Sequence, residues 1–478
     1  MKRLISAVAL GLVVAGLVVA GCTADSSPPT PSETTKDPEP SARVSTTITT
    51  SANASSLATL FGEPPEVPEG PLSEEATAAV DAIFDRLDRP IASSQFEAFG
   101  RAGDARLTWL LADLLRFSTE PSVNQAAVRA ASELTGVEFK GPVAWVGISD
   151  HLIAWDLPAF PGYEFYKQRL YTVVEPRWDF LFTEPNDIDY RLLSWGGVPP
   201  DDRPFGDDEP CQFGCIPALD EPRVTDATGG DWYPDDRIVF GVEIGGESRA
   251  YPKNIMEVHE MVNDTLGGRD FGLPYCTLCG SAQLFFTDEV AGFDRPILRT
   301  SGLLSRSNKV MYDLISESVF DTFAGRAISG PLFEADVTLR QGSVVVSTWG
   351  DWKAEHPDTT IVAQDGGIGR TYSLDPLGGR DDQGPIFPIG DRDLRLPVQE
   401  QVVGVIISDG TPVAFPAAAA RVRLETGETV ELDGVSLELE GSGLIAFENG
   451  EPVPSHQSFW FAWSQFHPET LLWLPTGG

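Results

Sequence analysis

An eleven-residue pattern, W-x-x-W-x-x-x-H-P-[DE]-T, occurs twice and constrains the fold more than any other feature of the chain. Trp349, Trp352, His356, Pro357, Asp358 and Thr359 carry it first; Trp460, Trp463, His467, Pro468, Glu469 and Thr470 repeat it in register. Upstream of each lies a second match, Gly241-Val242 to Ala250-Tyr251-Pro252 against Gly404-Val405 to Ala414-Phe415-Pro416, with one residue inserted. Two matches in the same order imply that one supersecondary unit is built twice. The expected organisation is a tandem duplication, with copy one over residues 204–395 and a shorter, degenerate copy two over 396–478. Copy two has no counterpart of His259, Cys276 or Cys279, so any chemistry is expected in copy one and scaffolding in copy two.

Copy one reads as β-rich. Ile238 to Ile244, a Gly245-Gly246 turn and Ser248 to Tyr251 read as a hairpin. Phe271 to Tyr275 and Ala282 to Thr287 read as strands flanking the cysteines, and Val344 to Ser347 as another. Asn263-Asp264, ahead of Gly267-Gly268, reads as a turn, because short polar side chains bond their own backbone.

Residues 71–203 read as a helical domain. Ser73 can cap a helix with Val80, Ile83, Phe84 and Leu87 on one face, ended by Pro90. Asp104 can cap a second, carrying Leu107, Leu110, Leu111, Leu114 and Leu115. A third starts at Pro121, carries Val123, Ala127, Ala130, Ala131 and Leu134, and stops at Gly136. The aromatic run from Trp145 to Trp195 is expected to pack this layer against its neighbour rather than to form a carbohydrate platform. The fold class is therefore α+β, a helical domain followed by a β-rich, internally duplicated module.

The N-terminus reads as an export signal. Lys2 and Arg3 form a basic start, Leu4 to Ala20 are almost wholly apolar or small, and Val19-Ala20-Gly21-Cys22 has the form of a lipobox. The expectation is a signal peptide over 1–21, lipidation at Cys22, and an extracytoplasmic protein held to the cell membrane by that lipid. Residues 22–70, rich in Ser, Thr, Pro and Glu, read as a disordered tether, since such composition cannot bury enough apolar surface to offset ordering. The formal charge is −37, and removal of Lys2 and Arg3 makes it more negative. That balance argues against nucleic acid as a partner and leaves a small-molecule or protein ligand unidentified.

Four cysteines follow Cys22: Cys211, Cys215, Cys276 and Cys279. In an oxidising compartment they allow three pairings. Cys211 and Cys215, in a Pro/Asp-rich loop, read as a local disulfide. For Cys276 and Cys279, three positions apart with His259 upstream, three chemistries are open. Two thiolates and an imidazole suit zinc or copper, with Cys211 or Cys215 as a further ligand. A reversible dithiol would make the protein an envelope thiol–disulfide oxidoreductase. A fixed bridge would make it a non-catalytic scaffold or binding protein. The metal site on Cys276, Cys279 and His259 is the first expectation, with Glu260 as an outer partner orienting the imidazole. His259 could instead be a core histidine bonded to a backbone carbonyl.

Several short motifs stand in a fixed order: Ile216 to Pro222, Ala250-Tyr251-Pro252, His259-Glu260 with Val262-Asn263-Asp264, and Tyr275-Cys276 with Leu278-Cys279-Gly280. Ser301 to Leu304, Met311-Tyr312-Asp313, Gly330-Pro331-Leu332 and His356 to Thr359 continue the series. Together they resemble the prokaryotic family called domain of unknown function 3179, here as a lipoprotein with an added N-terminal helical domain. The resemblance is strong over about residues 215–360 and implies no established activity. Thr277 and Phe320 depart from it, standing where the family usually has Pro and Trp.

Overall fold

The computed structural model describes residues 60–475 apart from 142, 212 and 213. The expected signal peptide, the expected lipidation site Cys22 and the expected tether up to residue 59 lie outside the described residues. Among the described residues, no helix is long and apolar enough to cross a membrane.

Helix α1 (Glu74–Phe84) is opened by Ser73, whose Oγ accepts the Ala76 N–H at 3.1 Å, and Glu74 and Glu75 favour its positive end. It buries Ala76, Ala79, Val80, Ile83 and Phe84, and ends before Leu87 and Pro90 in a tightened turn, with Arg86 N bonded to Ile83 O. Helix α2 (Ser93–Ala102) is not anticipated by the sequence reading. Gln95 caps it by accepting the Ala92 N–H at 2.8 Å, and Gly103 stops it in the left-handed region. Asp104 caps a single 3-10 turn (Ala105–Leu107), which leads into α3 (Thr108–Phe117). Helix α4 (Pro121–Thr135) has proline at its first turn and Gly136 at its stop.

Helices α5 (Ala144–Ala154) and α6 (Tyr163–Val174) and a 3-10 stretch (Pro176–Phe182) follow. Their aromatic rings join the helices to the first sheet. Phe180 stacks on Tyr312 at 4.5 Å, and Trp178 Nε1 donates to Ser301 O at 2.8 Å. One apolar core accordingly contains Leu111, Tyr171 and Trp178 together with Leu303, Val310 and Val319.

Five sheets make up the rest, set like the blades of a five-bladed propeller. The first is β1 (Leu193–Trp195), β10 (Leu298–Ser305), β11 (Asn308–Asp313) and β12 (Val319–Asp321). The second runs β13 (Gln341–Gly342), β9 (Leu284–Phe286), β7 (Arg269–Cys276), β6 (Met261–Leu266) and β2 (Leu219–Asp220), with β8 (Ser281–Ala282) on the end of β7. The third runs β14 (Val345–Thr348), β4 (Ile238–Ile244), β5 (Glu247–Pro252), β15 (Thr360–Val362) and β3 (Val224–Asp226). The fourth is β22 (Ser455–Phe459), β16 (Gln401–Ile406), β17 (Pro412–Pro416) and β23 (Leu471–Leu472). The fifth is the meander β18 (Val430–Leu432), β19 (Val435–Glu440), β20 (Gly443–Glu448) and β21 (Glu451–Val453). Helices α7 (Lys253–His259), α8 (Gly330–Glu334), α9 (Trp349–Glu355), α10 (Ala417–Glu425) and α11 (Trp460–Phe466) lie between strands.

The third and fourth sheets share one wiring. In each, a central hairpin (β4–β5, β16–β17) is flanked by an antiparallel edge strand (β14, β22) and a parallel one (β15, β23). The parallel strand follows a helix carrying the repeated motif. Trp352 Nε1 donates to Thr359 Oγ1 at 3.0 Å, and Trp463 Nε1 to Thr470 Oγ1 at 3.0 Å. Gly241 and Gly404 lie beneath the two indoles so closely that a Cβ on either would overlap the ring.

Asn263 and Asp264 do not form the turn that the sequence reading gives them. Both lie within β6, and the reversal falls on Gly267-Gly268, both at positive φ. Strand pairing wins because both side chains find buried partners. Asp264 accepts from Tyr251 Oη (2.7 Å) and Arg249 Nη1 (2.6 Å), while the Asn263 amide donates to Asp220 Oδ1 (2.8 Å).

Candidate functional site

Strand β7 is buried from Phe271 onward and ends at Cys276. The chain turns at once: Cys279 N bonds Cys276 O at 3.2 Å, Gly280 takes φ +59°, and β8 pairs back through Cys276 and Ser281. This turn brings the two cysteines face to face, and they form a disulfide with their Cα atoms 5.3 Å apart. Cys276 is 4% exposed and Cys279 fully buried. The covering side chains come from far along the chain, with Phe459, Trp460, Phe461, Val402 and Ile389 in one cluster with the sulfurs. Phe459 N donates to Cys279 O at 2.8 Å, so β22 is latched to the turn.

The polar side of the turn belongs to Glu260. This residue follows α7 in the left-handed conformation (φ +51°). Its carbonyl accepts from Tyr275 N (3.0 Å) and Lys309 Nζ (2.9 Å). Its carboxylate pairs with Lys309 Nζ at 2.7 Å and accepts from the hydroxyl of Thr277, inside the C-x-x-C turn, at 2.9 Å. Lys309 reaches it from β11 and is buried. Burial pushes its ammonium below the ordinary lysine range, and Glu260 pulls the other way. Cys279 Sγ lies 3.5 Å from Ser307 O, in the tight β10–β11 turn where Arg306 and Ser307 both have positive φ.

His259 points elsewhere. Its Nδ1 is 2.7 Å from Pro217 O and its Nε2 is 2.7 Å from Tyr372 Oη. A carbonyl can only accept, so Nδ1 carries the proton and Nε2 accepts from the tyrosine. Burial holds the ring neutral, with its pKa lowered to about 4. The metal set expected from the sequence is therefore not assembled. Among the described residues, the ligand atoms of His259, Cys276 and Cys279 do not fall within 4.8 Å of one another. The sulfurs are spent on each other and both ring nitrogens on protein partners. Glu260 orients the C-x-x-C turn through Thr277 rather than the imidazole.

The neutral histidine has a pH signature. Its folded pKa lies below the unfolded value near 6.5, so its contribution to stability is complete above pH 6.5 and is lost as pH falls toward 4. The loss is about 1.4 kcal/mol per pH unit in that window. Denaturant unfolding at pH 7 and pH 4.5 should show wild type losing about 2–3 kcal/mol more than His259→Gln. Equal losses would mean that the imidazole is solvated.

Cys211 and Cys215 form a second disulfide. With Asp201 they present ligand atoms within 4.8 Å of one another, a group that could hold a metal ion. The Asp201 carboxylate already has strong partners: Arg203 Nε at 2.7 Å, Ala218 N at 2.7 Å and the buried Arg299 Nε at 3.7 Å.

Lys309 is the residue that sequence reasoning missed. Its signal was a lysine in the otherwise buried strand Asn308–Asp313, where a charge must find a partner. That partner, Glu260, lies 49 positions upstream and no local pattern links them.

Residues 214–430 match the model of a family described as a protein of unknown function, DUF3179. This segment is a DUF3179 domain. Neither the curated proteins nor the solved structures gave a match. The DUF3179 span holds Glu260, the C-x-x-C disulfide and Lys309, but not β22 or α11, which cover the sulfurs.

Proposed function

We propose that the DUF3179 domain is a thiol–disulfide redox module of an exported protein anchored to the cell membrane by lipid at Cys22. The observation that carries this reading is the Glu260–Lys309 pair bonded into the C-x-x-C turn through Thr277, a buried acid and base against a dithiol motif. The pairing of all four cysteines after Cys22 fits an oxidising compartment. The acidic chain is not a nucleic-acid binder in this reading, and a protein or small dithiol is its redox partner.

The exchange runs as follows. A partner thiolate attacks the Sγ of Cys276, the less buried cysteine, forming a mixed disulfide as Cys279 leaves as thiolate. The partner's second thiolate then attacks its own sulfur in that bond and releases Cys276. Two electrons pass to the Cys276–Cys279 pair, and the two protons lost by the partner's thiols end on it. Glu260 and Lys309 hold a proton beside the turn while this happens. The β-rich region is read as a tandem duplication, 204–395 and 396–478, supported by the shared wiring of the third and fourth sheets. The second copy supplies the cover over the sulfurs.

The test is redox titration of the folded full chain in dithiothreitol buffers, with thiols trapped by alkylation and located by mass spectrometry. Cys276 and Cys279 should be labelled together at one midpoint while the fold persists. If they stay oxidised in every buffer that leaves the protein folded, the bridge is structural and the reading fails.

A second reading concerns the other pair. Once reduced, Cys211 and Cys215 with Asp201 would offer donors suited to zinc or copper. The arginines on Asp201 weigh against it.

A further inference from the structure

His356, in the first copy of the repeated motif, stands between two carboxylates drawn from distant strands. Its Nε2 is 2.7 Å from Glu440 Oε1 and its Nδ1 is 3.7 Å from Glu243 Oε2. One ligand atom from each of the three lies within 4.8 Å of the others. Nε2 is shielded from solvent and, apart from that carboxylate, has no hydrogen-bond partner among the described residues. Glu440 sits at the tip of the β19–β20 hairpin, which is pinned in place: Ser442 Oγ accepts Thr348 N at 2.9 Å, and Ser442 N donates to Ser347 Oγ at 3.1 Å. The cluster is therefore built by rigid elements.

The second copy shows that the repeated motif does not require the Glu243 carboxylate. His467 packs on Trp463 at 4.3 Å, as His356 packs on Trp352 at 4.0 Å. Counting from the paired glycines, Gly241 and Gly404, the position of Glu243 is taken by Ile406. The motif thus stands with an apolar side chain where copy one places a charge.

We propose that Glu243, His356 and Glu440 form a divalent-cation site suited to zinc, which clamps the β19–β20 hairpin to the sheet of β4. Imidazole nitrogen and carboxylate oxygen are both zinc donors, and the half-exposed Glu243 leaves a side open to water.

The full chain, purified metal-free and kept without reductant so that both disulfides stay closed, should be titrated with zinc chloride by calorimetry and followed by thermal unfolding. About one zinc should bind per chain and raise the Tm, since a ligand of the folded state alone stabilises it. His356→Gln and Glu440→Gln should each weaken binding about 100-fold and abolish the rise in Tm. Glu243→Gln, on a more exposed side chain, should weaken it about tenfold and supplies the answer if the other two fail to fold. No zinc binding by wild type, or binding that all three variants retain, overturns the proposal.

Discussion

Lys309→Met is expected to lower the unfolding free energy by about 3–5 kcal/mol at neutral pH, because it leaves the Glu260 carboxylate in the fold without its cation. Methionine matches the lysine stem in length and fills the same channel, so the change removes charge and donors rather than volume. Glu260 is 15% exposed at its side chain and Lys309 only 5%, which places the loss toward the lower end of that range. The double variant Lys309→Met/Glu260→Gln should recover much of it, because a neutral amide costs less to bury than an unpaired carboxylate. Urea unfolding of the wild type, the single variant and the double variant measures all three. A single-variant loss below about 1 kcal/mol would mean that Glu260 reaches water and is not an interior partner of the C-x-x-C turn. The same variant bears on the redox reading separately. The pH profile of Cys276 alkylation in the reduced protein should move if the pair moves protons for the dithiol, and stay fixed if it only holds Thr277.

How far the chain could be read depended on whether a signal was local. Helices α1 and α4 were legible because Ser73, Pro121 and Gly136 mark their ends and apolar residues recur at helical spacing. Helix α2 was not, since Ala92 is no capping residue and Phe96 and Phe99 alone give no stripe. Asp264 was misread for a related reason: its preference for turns is local, while Arg249 and Tyr251, which hold it in a strand, lie on another strand. At the site, the cysteines and Glu260 were visible as reactive groups, but their partners were not. Tyr372 stands 113 residues from His259, and Phe459 lies in the other half of the β-rich region from Cys279. The repeat was the exception, because two similar stretches of sequence disclose a long-range relation without any contact being known.

The largest loss in the helical region should come from Lys167→Met, at about 3–5 kcal/mol. Lys167 Nζ donates to Asp113 Oδ1 (2.9 Å), Tyr163 Oη (3.1 Å) and the β1 carbonyl of Leu193 (2.6 Å), and it is 1% exposed. Tyr163 Oη in turn donates to Asp113 Oδ2 at 2.6 Å. Burial drives the Asp113 carboxyl upward and the Lys167 ammonium downward, and each charge opposes the shift of the other. Without the lysine, the desolvation of Asp113 is opposed by the weaker hydrogen bonds of the Tyr163 and Tyr171 hydroxyls. The Leu193 carbonyl also loses its donor, so the join between α6 and the first sheet weakens along with the pair. Asp113→Leu in the Lys167→Met background should restore most of the stability, because two apolar side chains of similar volume replace an ion pair with little net cost. Denaturant unfolding of these variants separates charge from packing. Recovery in the double variant assigns the loss to the stranded carboxylate, whereas an additive loss would assign it to the cavity and the Leu193 contact.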